Sequence, residues 1–172
     1  DSDILHVQSA HLNNLSDFHK EIAMCRTFVF VREVEYLFRK GLIKGGDLDN
    51  AIVIYDRKLK QNDFDRLADA MNVERRDADR LGYIMNLPLR YPNEPARHKI
   101  IDIIGDIALT GRFIKGIIIA VCPGHSVNNK FARTIMEDMV KQSQPSIKSS
   151  AGCITKAVEY TTAEVGYVEV AV

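Results

Sequence analysis

The most informative stretch of the sequence carries His98, Asp102 and Asp106 at positions i, i+4 and i+8. On a helix these residues lie close to one face, while the intervening isoleucines point the other way. A neutral imidazole and a carboxylate one turn apart can bind the same divalent cation. A solvated polar helix face has the same spacing, and catalytic zinc usually takes three protein ligands. A third ligand must therefore come from elsewhere.

A second candidate is His125, which follows Pro123-Gly124 at the junction between a predicted strand and a predicted helix. A histidine in this position could act as a general acid, and Asp106 is a suitable partner to hold it as an imidazolium. The alternative interpretation is a helix-entry residue that is bonded only to water.

A third candidate is the β-prone run that begins at Thr27. The Thr27 hydroxyl could donate to a developing oxyanion. Phe28 and Phe30 could line an apolar groove or a groove that stacks a nucleobase. The alternative is an ordinary half-buried strand with alternating side chains.

The elements that must position these residues alternate along the chain. Strands are predicted over residues 4–12, 27–31, 51–55 and 114–121, and helices over 15–24, 33–40, 64–71, 96–109 and 126–141. A short extended piece, 87–91, contains Pro88, which favours an edge position. The order predicts an α+β fold: a two-layer sandwich with one mixed or antiparallel sheet and helices packed on one face.

The domain interpretation follows from composition along the chain. Residues 1–141 are predicted to form one domain, with a charged helical insertion over about 56–86. Residues 142–172 are predicted to be a linker and a tail of unknown role. Alternating Val and Glu near the end of the tail are compatible with a strand or with an extension outside the fold.

Overall composition excludes several classes of function. The 172 residues are 46% hydrophobic, with 23 basic and 23 acidic side chains, so a nucleic-acid partner is not expected. No apolar run is long enough to span a bilayer, and no secretory signal is present. Three isolated cysteines favour a reducing cytoplasm. The missing initiator methionine suggests a fragment, a processed product or a trimmed chain.

Three segments together resemble the second domain of the UDP-3-O-acyl-N-acetylglucosamine deacetylase (LpxC) family. They are CRTFVFVREVEYLFRKGLIKGGDLDNAIVIYD, RYPNEPARHKIIDIIGDIALTG and IAVCPGHSVNNKFA, in the family's order and spacing. The stretch between Asp56 and Leu87 resembles the longer version in Bacteroidetes-type members. Those members are often fused to a hydroxyacyl-carrier-protein dehydratase.

The resemblance implies a role for each matching position. His98 and Asp102 match zinc ligands, Asp106 matches the carboxylate that orients the catalytic histidine, and His125 matches that histidine. Thr27 matches the threonine that hydrogen-bonds the reacting carbonyl oxygen. The implied substrate-binding positions are Lys99 beside the metal, Phe28 and Phe30 near the nucleotide sugar and acyl chain, and Val34, Ile43 and Gly46 along the acyl-chain passage.

The implied activity is zinc-dependent deacetylation of UDP-3-O-acyl-N-acetylglucosamine, a step of lipid A biosynthesis in the cytoplasm of a Gram-negative bacterium. The family's first domain carries a Glu-His pair that acts as general base and third zinc ligand, and no segment here matches it. We therefore expect this chain to need that missing N-terminal domain as a partner, and to be inactive alone. The alternative is a catalytically silent structural fragment of a bifunctional deacetylase/dehydratase.

Overall fold

The structure, a computed structural model, describes residues 2–39, 48–143 and 167–171. Its strands are β1 (Ser9–Leu12), β2 (Thr27–Phe30), β3 (Ala51–Tyr55), β4 (Gly82–Ile84), β5 (Ile117–Val121) and β6 (Tyr167–Ala171). Its helices are α1 (Phe18–Glu21), α2 (Val31–Arg39), α3 (Gln61–Ala70), α4 (Glu94–Ala108) and α5 (His125–Ser143), and a short 3-10 helix (Leu15–Asp17) precedes α1.

The predicted α+β class is confirmed, but the described strands form two three-stranded sheets where the sequence predicts one. In the first sheet β6 lies between β1, to which it is antiparallel, and β5, to which it is parallel. In the second sheet β3 lies between the parallel strand β2 and the antiparallel strand β4. Apolar alternation identifies strands but not their partners, so the division into two mixed sheets is visible only in the structure.

The second sheet is buried mainly by the segment that follows β3. Phe64 and Leu67 of α3 pack with Val53 and Tyr55 of β3 in one apolar cluster. The Tyr55 hydroxyl donates to the Ala78 carbonyl oxygen at 2.8 Å and accepts the backbone N–H of Leu59 at 2.8 Å. The charged segment after β3 thus contains the predicted helix and also contributes β4 to the sheet.

The first sheet is covered on one face by α4. Four residues of this helix lie at helical spacing and pack against Ala10, Leu12 and Ile22; they are Ala96, Ile100, Ile103 and Ile107. Ile118 and Ala120 of β5 face the same cluster. Pro95 lies in the first turn, where its missing N–H costs nothing. The apolar stripe therefore fixes α4 on the sheet and leaves its polar stripe free to face α5 and β2.

Residues 87–91, predicted as a short extended piece, pair with no described strand, and β4 is the strand in this part of the chain. The carbonyl oxygens of Leu87 and Pro88 instead accept hydrogen bonds from the Arg26 guanidinium. No helix within the described ranges is both long and apolar enough to cross a bilayer.

Candidate active site

The polar stripe of α4 brings an imidazole and a carboxylate together, as the spacing predicts. The Nε2 atom of His98 lies 3.4 Å from Oδ1 of Asp102, and both side chains are largely buried. Lys99 Nζ lies 2.8 Å from the other oxygen, Oδ2. One oxygen of Asp102 is thus held by a lysine, and the other faces a histidine nitrogen.

The second ring nitrogen of His98 fixes the tautomer of the imidazole. Nδ1 lies 3.0 Å from the carbonyl oxygen of Cys25, which can only accept a hydrogen bond, so Nδ1 carries the proton. The Nε2 lone pair then faces the Asp102 carboxylate. Histidines that bind metals usually donate their other ring N–H to a carbonyl or a carboxylate in this way.

The separation of these two atoms fits a shared cation. Two donors bound tetrahedrally to zinc at about 2.0–2.1 Å lie roughly 3.4 Å apart. Burial raises the pKa of Asp102, but the adjacent His98 ring, the hydrogen bond from Lys99 and the charge of Lys99 outweigh burial and lower that pKa to about 2. The carboxylate is therefore ionised at neutral pH and able to accept a cation.

The donor set is incomplete within the part of the chain that the structure describes. There, no group of three or more His, Cys, Asp or Glu side chains is arranged to hold a metal ion. His98 and Asp102 supply two of the three protein ligands that catalytic zinc usually takes.

The predicted pairing of His125 with Asp106 is present. His125 is the first residue of α5, and its Nδ1 atom lies 2.8 Å from Oδ2 and 3.1 Å from Oδ1 of Asp106. The His125 side chain is 68% exposed, whereas that of Asp106 is 12% exposed. Its Nε2 atom lies 4.0 Å from Oδ1 of Asp102. An exposed histidine ring is thus hydrogen-bonded to a buried carboxylate, and its other nitrogen faces the His98–Asp102 pair.

Asn128 is a site residue to which the sequence analysis assigns no role. Its Nδ2 atom donates to Oδ2 of Asp106 at 2.9 Å, and the residue is only 6% exposed. It lies three positions after His125, so both side chains project from the same face of α5. This spacing is the feature of the sequence from which the role of Asn128 could have been predicted. Asn128 and His125 together hold the Asp106 carboxylate.

Replacing Asn128 by alanine is expected to lower the free energy of unfolding by about 1–3 kcal/mol, because a buried carboxylate oxygen loses a donor. Urea denaturation of this chain measures the change. Asn129→Ala is the matched control on the same turn, and we expect it to change stability little. Equal effects of the two substitutions would contradict the role of Asn128.

The aromatic residues of β2 lie beside Lys99. The rings of Phe28 and Phe30 pack edge to face at 6.3 Å, and Lys99 Nζ lies 5.1 Å from the Phe28 ring centre. The guanidinium of Arg32 lies 4.4 Å from the ring centre of Phe30. Two cations thus flank an aromatic pair, an arrangement that binds flat or anionic groups well.

The remaining predicted positions differ in their surroundings. Thr27 is exposed at the start of β2, two residues after the carbonyl that binds His98. Val34 is buried in the cluster beneath the second sheet, where it packs among other apolar residues. Ile43 and Gly46 lie outside the described residues, and their role stays a prediction.

A second feature missing from the sequence analysis is a buried ion pair that joins β2 to α4. Arg26 Nε lies 2.9 Å from Oε1 of Glu94, and the two side chains are 1% and 0% exposed. The two residues are far apart in sequence, so no local pattern reveals their contact. This pair fixes the start of β2 against the helix that carries His98 and Asp102.

An α+β fold with a histidine and carboxylates clustered on one helix face has the chemical groups of a hydrolase. Comparison with known proteins identifies the family. The model of the LpxC family, UDP-3-O-acyl N-acetylglycosamine deacetylase, matches residues 1–72 and 78–137, and the chain belongs to this family. The resemblance predicted from the three motifs is thereby confirmed.

The relatives include both fused and single enzymes. The chain is 58% identical to a bifunctional enzyme LpxC/FabZ of Porphyromonas gingivalis over 83% of its own length and 31% of the relative's. It is 58% identical to the enzyme of the same name from Bacteroides thetaiotaomicron, over 81% and 30%. A UDP-3-O-acyl-N-acetylglucosamine deacetylase of Chlamydia felis is 40% identical, over 71% and 35%. The chain thus spans about a third of the length of the curated relatives it matches.

Proposed function

We propose that this chain is the second domain of a zinc-dependent deacetylase that acts on UDP-3-O-acyl-N-acetylglucosamine in lipid A biosynthesis, in the cytoplasm of a Gram-negative bacterium. The observation that carries the proposal is the approach of His98, Asp102 and His125 at the junction of α4 and α5. Family membership and the names of the relatives support the reaction class and the substrate.

His98 and Asp102 are the residues that would hold the zinc ion. Their donor atoms are spaced for it, and the Cys25 carbonyl keeps the Nε2 lone pair of His98 available. Bound there, zinc would supply Lewis-acid chemistry to the amide hydrolysis. A third ligand and a general base are proposed to come from a first domain, which would carry the family's Glu-His pair.

His125 and Asp106 would stabilise the charge on the oxyanion or supply the proton of the leaving group. The Asp106 carboxylate accepts the Nδ1 proton and orients the ring, so that Nε2 points toward the reaction centre. In that position it donates to the oxyanion or protonates the departing amine nitrogen. Asn128 keeps the carboxylate oriented while this happens.

Thr27, Lys99 and the aromatic pair would orient the substrate. The exposed Thr27 hydroxyl would donate to the reacting carbonyl oxygen, a contact usually worth roughly 2.7–4 kcal/mol. Lys99 lies between Asp102 and Phe28, so it joins the reaction centre to the aromatic surface. This surface would receive the nucleotide sugar and the start of the acyl chain, and Val34, Ile43 and Gly46 are proposed to line the acyl-chain passage.

A zinc titration of this chain tests the proposal against the alternative of a silent structural fragment, which is favoured by the presence of only two donors in the described ranges. We expect weak binding, and we expect His98→Ala to raise the Kd at least about tenfold because one of two ligands is lost. His19→Ala, an exposed histidine on α1, is the matched control. Failure of the parent chain to bind zinc, or binding that survives in His98→Ala, would support the silent fragment.

A further inference from the structure

The Arg26–Glu94 ion pair carries several hydrogen bonds on both sides. Arg26 Nε donates to Oε1 at 2.9 Å and Nη2 donates to Oε2 at 3.0 Å, so the contact is bidentate. The same carboxylate accepts the backbone N–H groups of Arg26 at 2.9 Å and of Arg90 at 2.7 Å. Such a planar, two-point contact fixes orientation as well as distance.

The guanidinium extends this network to a third segment. Nη1 donates to the carbonyl oxygen of Leu87 at 3.1 Å and Nη2 to that of Pro88 at 2.8 Å. Arg90 closes the ring of contacts by donating from its own guanidinium to the Met24 carbonyl oxygen. We call the Arg26–Glu94 pair, with the carbonyl and amide groups bound to it, the clamp. It joins the start of β2, the turn over 87–90 and the first turn of α4.

The clamp lies one residue from the contact that orients the proposed metal ligand. The Cys25 carbonyl, which accepts the Nδ1 proton of His98, belongs to the residue before Arg26, and His98 follows Glu94 by one helical turn. The Cys25 thiol is turned away, toward the Glu21 carbonyl at 3.7 Å. Two short segments, 25–27 and 94–98, are therefore joined by two contacts. One is the clamp, and the other is the hydrogen bond between the His98 ring and the Cys25 carbonyl.

We propose that Arg26 and Glu94 are positioning residues, and that the clamp holds the Cys25 carbonyl where it dictates the tautomer of His98. With the carbonyl fixed, Nδ1 keeps the proton and Nε2 faces Asp102 as a lone pair. The clamp also sets the start of β2, and with it Thr27. This inference rests on the proposed function only in taking His98 as a metal ligand, and the hydrogen-bond chain itself does not depend on that role.

The substitution Arg26→Lys tests the clamp with the least change. A lysine keeps the positive charge opposite Glu94 but cannot make the bidentate contact or reach the Leu87 and Pro88 carbonyls as well. We expect nitrogen-15 NMR of the His98 ring, at a fixed and mildly alkaline pH, to show a mixture of Nδ1–H and Nε2–H forms in place of the single Nδ1–H form of the parent. The zinc Kd should rise about tenfold, the effect typical of losing a contact that orients a ligand.

Tyr55→Phe is the control for a merely structural effect. It removes two buried hydrogen bonds in the cluster beneath the second sheet, away from α4. It should lower stability while leaving the His98 ring signals and the zinc Kd as in the parent. A folded Arg26→Lys variant with unchanged ring signals and unchanged zinc Kd would overturn the proposal.

If Arg26→Lys does not fold, hydrogen exchange in the unmodified chain tests whether the clamp orients His98. One opening event should expose both the Arg26 amide proton and the His98 Nδ1 proton, so their protection factors should agree within about an order of magnitude. A freely exchanging ring proton beside a protected Arg26 amide would overturn the clamp. If the parent chain binds no zinc, the proposed function fails, and the ring signals still test the clamp on their own.

Discussion

Asp102→Ala is expected to reduce deacetylation by roughly 10³-fold, since the Lewis-acid contribution of a metal ion amounts to several kcal/mol. Asp102 is one of the two proposed metal ligands on α4 and also binds Lys99, so its loss would affect both metal binding and the Lys99 contact with Phe28. The rate is measured as acetate release from UDP-3-O-acyl-N-acetylglucosamine. The enzyme would be this chain joined to the proposed first domain of the family.

The matched control for this experiment is Asp138→Ala, which removes an exposed carboxylate of α5 that forms an ion pair with Lys141. It should retain the parent rate. An Asp102→Ala enzyme with a rate near that of the parent, and with its zinc still bound, would disprove the ligand assignment. Loss of rate in both variants would point to damage of the fold and not of the site.

Glu94→Ala is expected to lower the free energy of unfolding by about 3–5 kcal/mol, because it leaves the buried Arg26 guanidinium without its carboxylate. The backbone N–H groups of Arg26 and Arg90 lose their acceptor at the same time. Urea or thermal denaturation of this chain measures the change. Asp69→Ala is the control, because its ion pair with Arg75 lies on the surface and contributes little.

The same pair predicts a direction of pH dependence. Burial raises the pKa of Glu94, but hydrogen bonds from Arg26 and Arg90 outweigh burial and lower it below its usual value. A carboxyl group with a lowered pKa stabilises the folded state above its unfolded pKa, and this stability is lost as the pH falls through the folded value. The difference in the free energy of unfolding between the parent and Glu94→Ala should therefore shrink as the pH falls through the folded pKa of Glu94. A difference that stays constant as the pH is lowered would contradict this prediction.

The parts of the site that follow local periodicity were predictable from the sequence. The i, i+4, i+8 spacing placed His98, Asp102 and Asp106 on one face of α4, and the strand-to-helix junction placed His125 beside them. Both inferences need only the helical repeat and the order of elements. Their catalytic roles stay predictions until the variants are measured.

The parts that depend on distant contacts were not predictable from these patterns. Glu94 lies two residues before the predicted start of this helix, and nothing in the neighbouring sequence distinguishes it from an ordinary surface acid. Its burial is decided by Arg26, which lies in a different element. The position of β6 inside the first sheet has the same cause, since pairing between remote strands leaves no trace in a local window.

The placement of β6 has a consequence for synthesis of the protein. The β2–β3–β4 sheet is complete within residues 27–84, so it can assemble soon after leaving the ribosome. The other sheet joins β1 to β6, a strand that is distant in sequence and is synthesised after it, and such distant pairing forms slowly. Until residues 167–171 emerge, β1 and β5 lack their shared neighbour and expose unpaired backbone groups. At that stage the nascent chain offers two unpaired strand edges to which another strand could add.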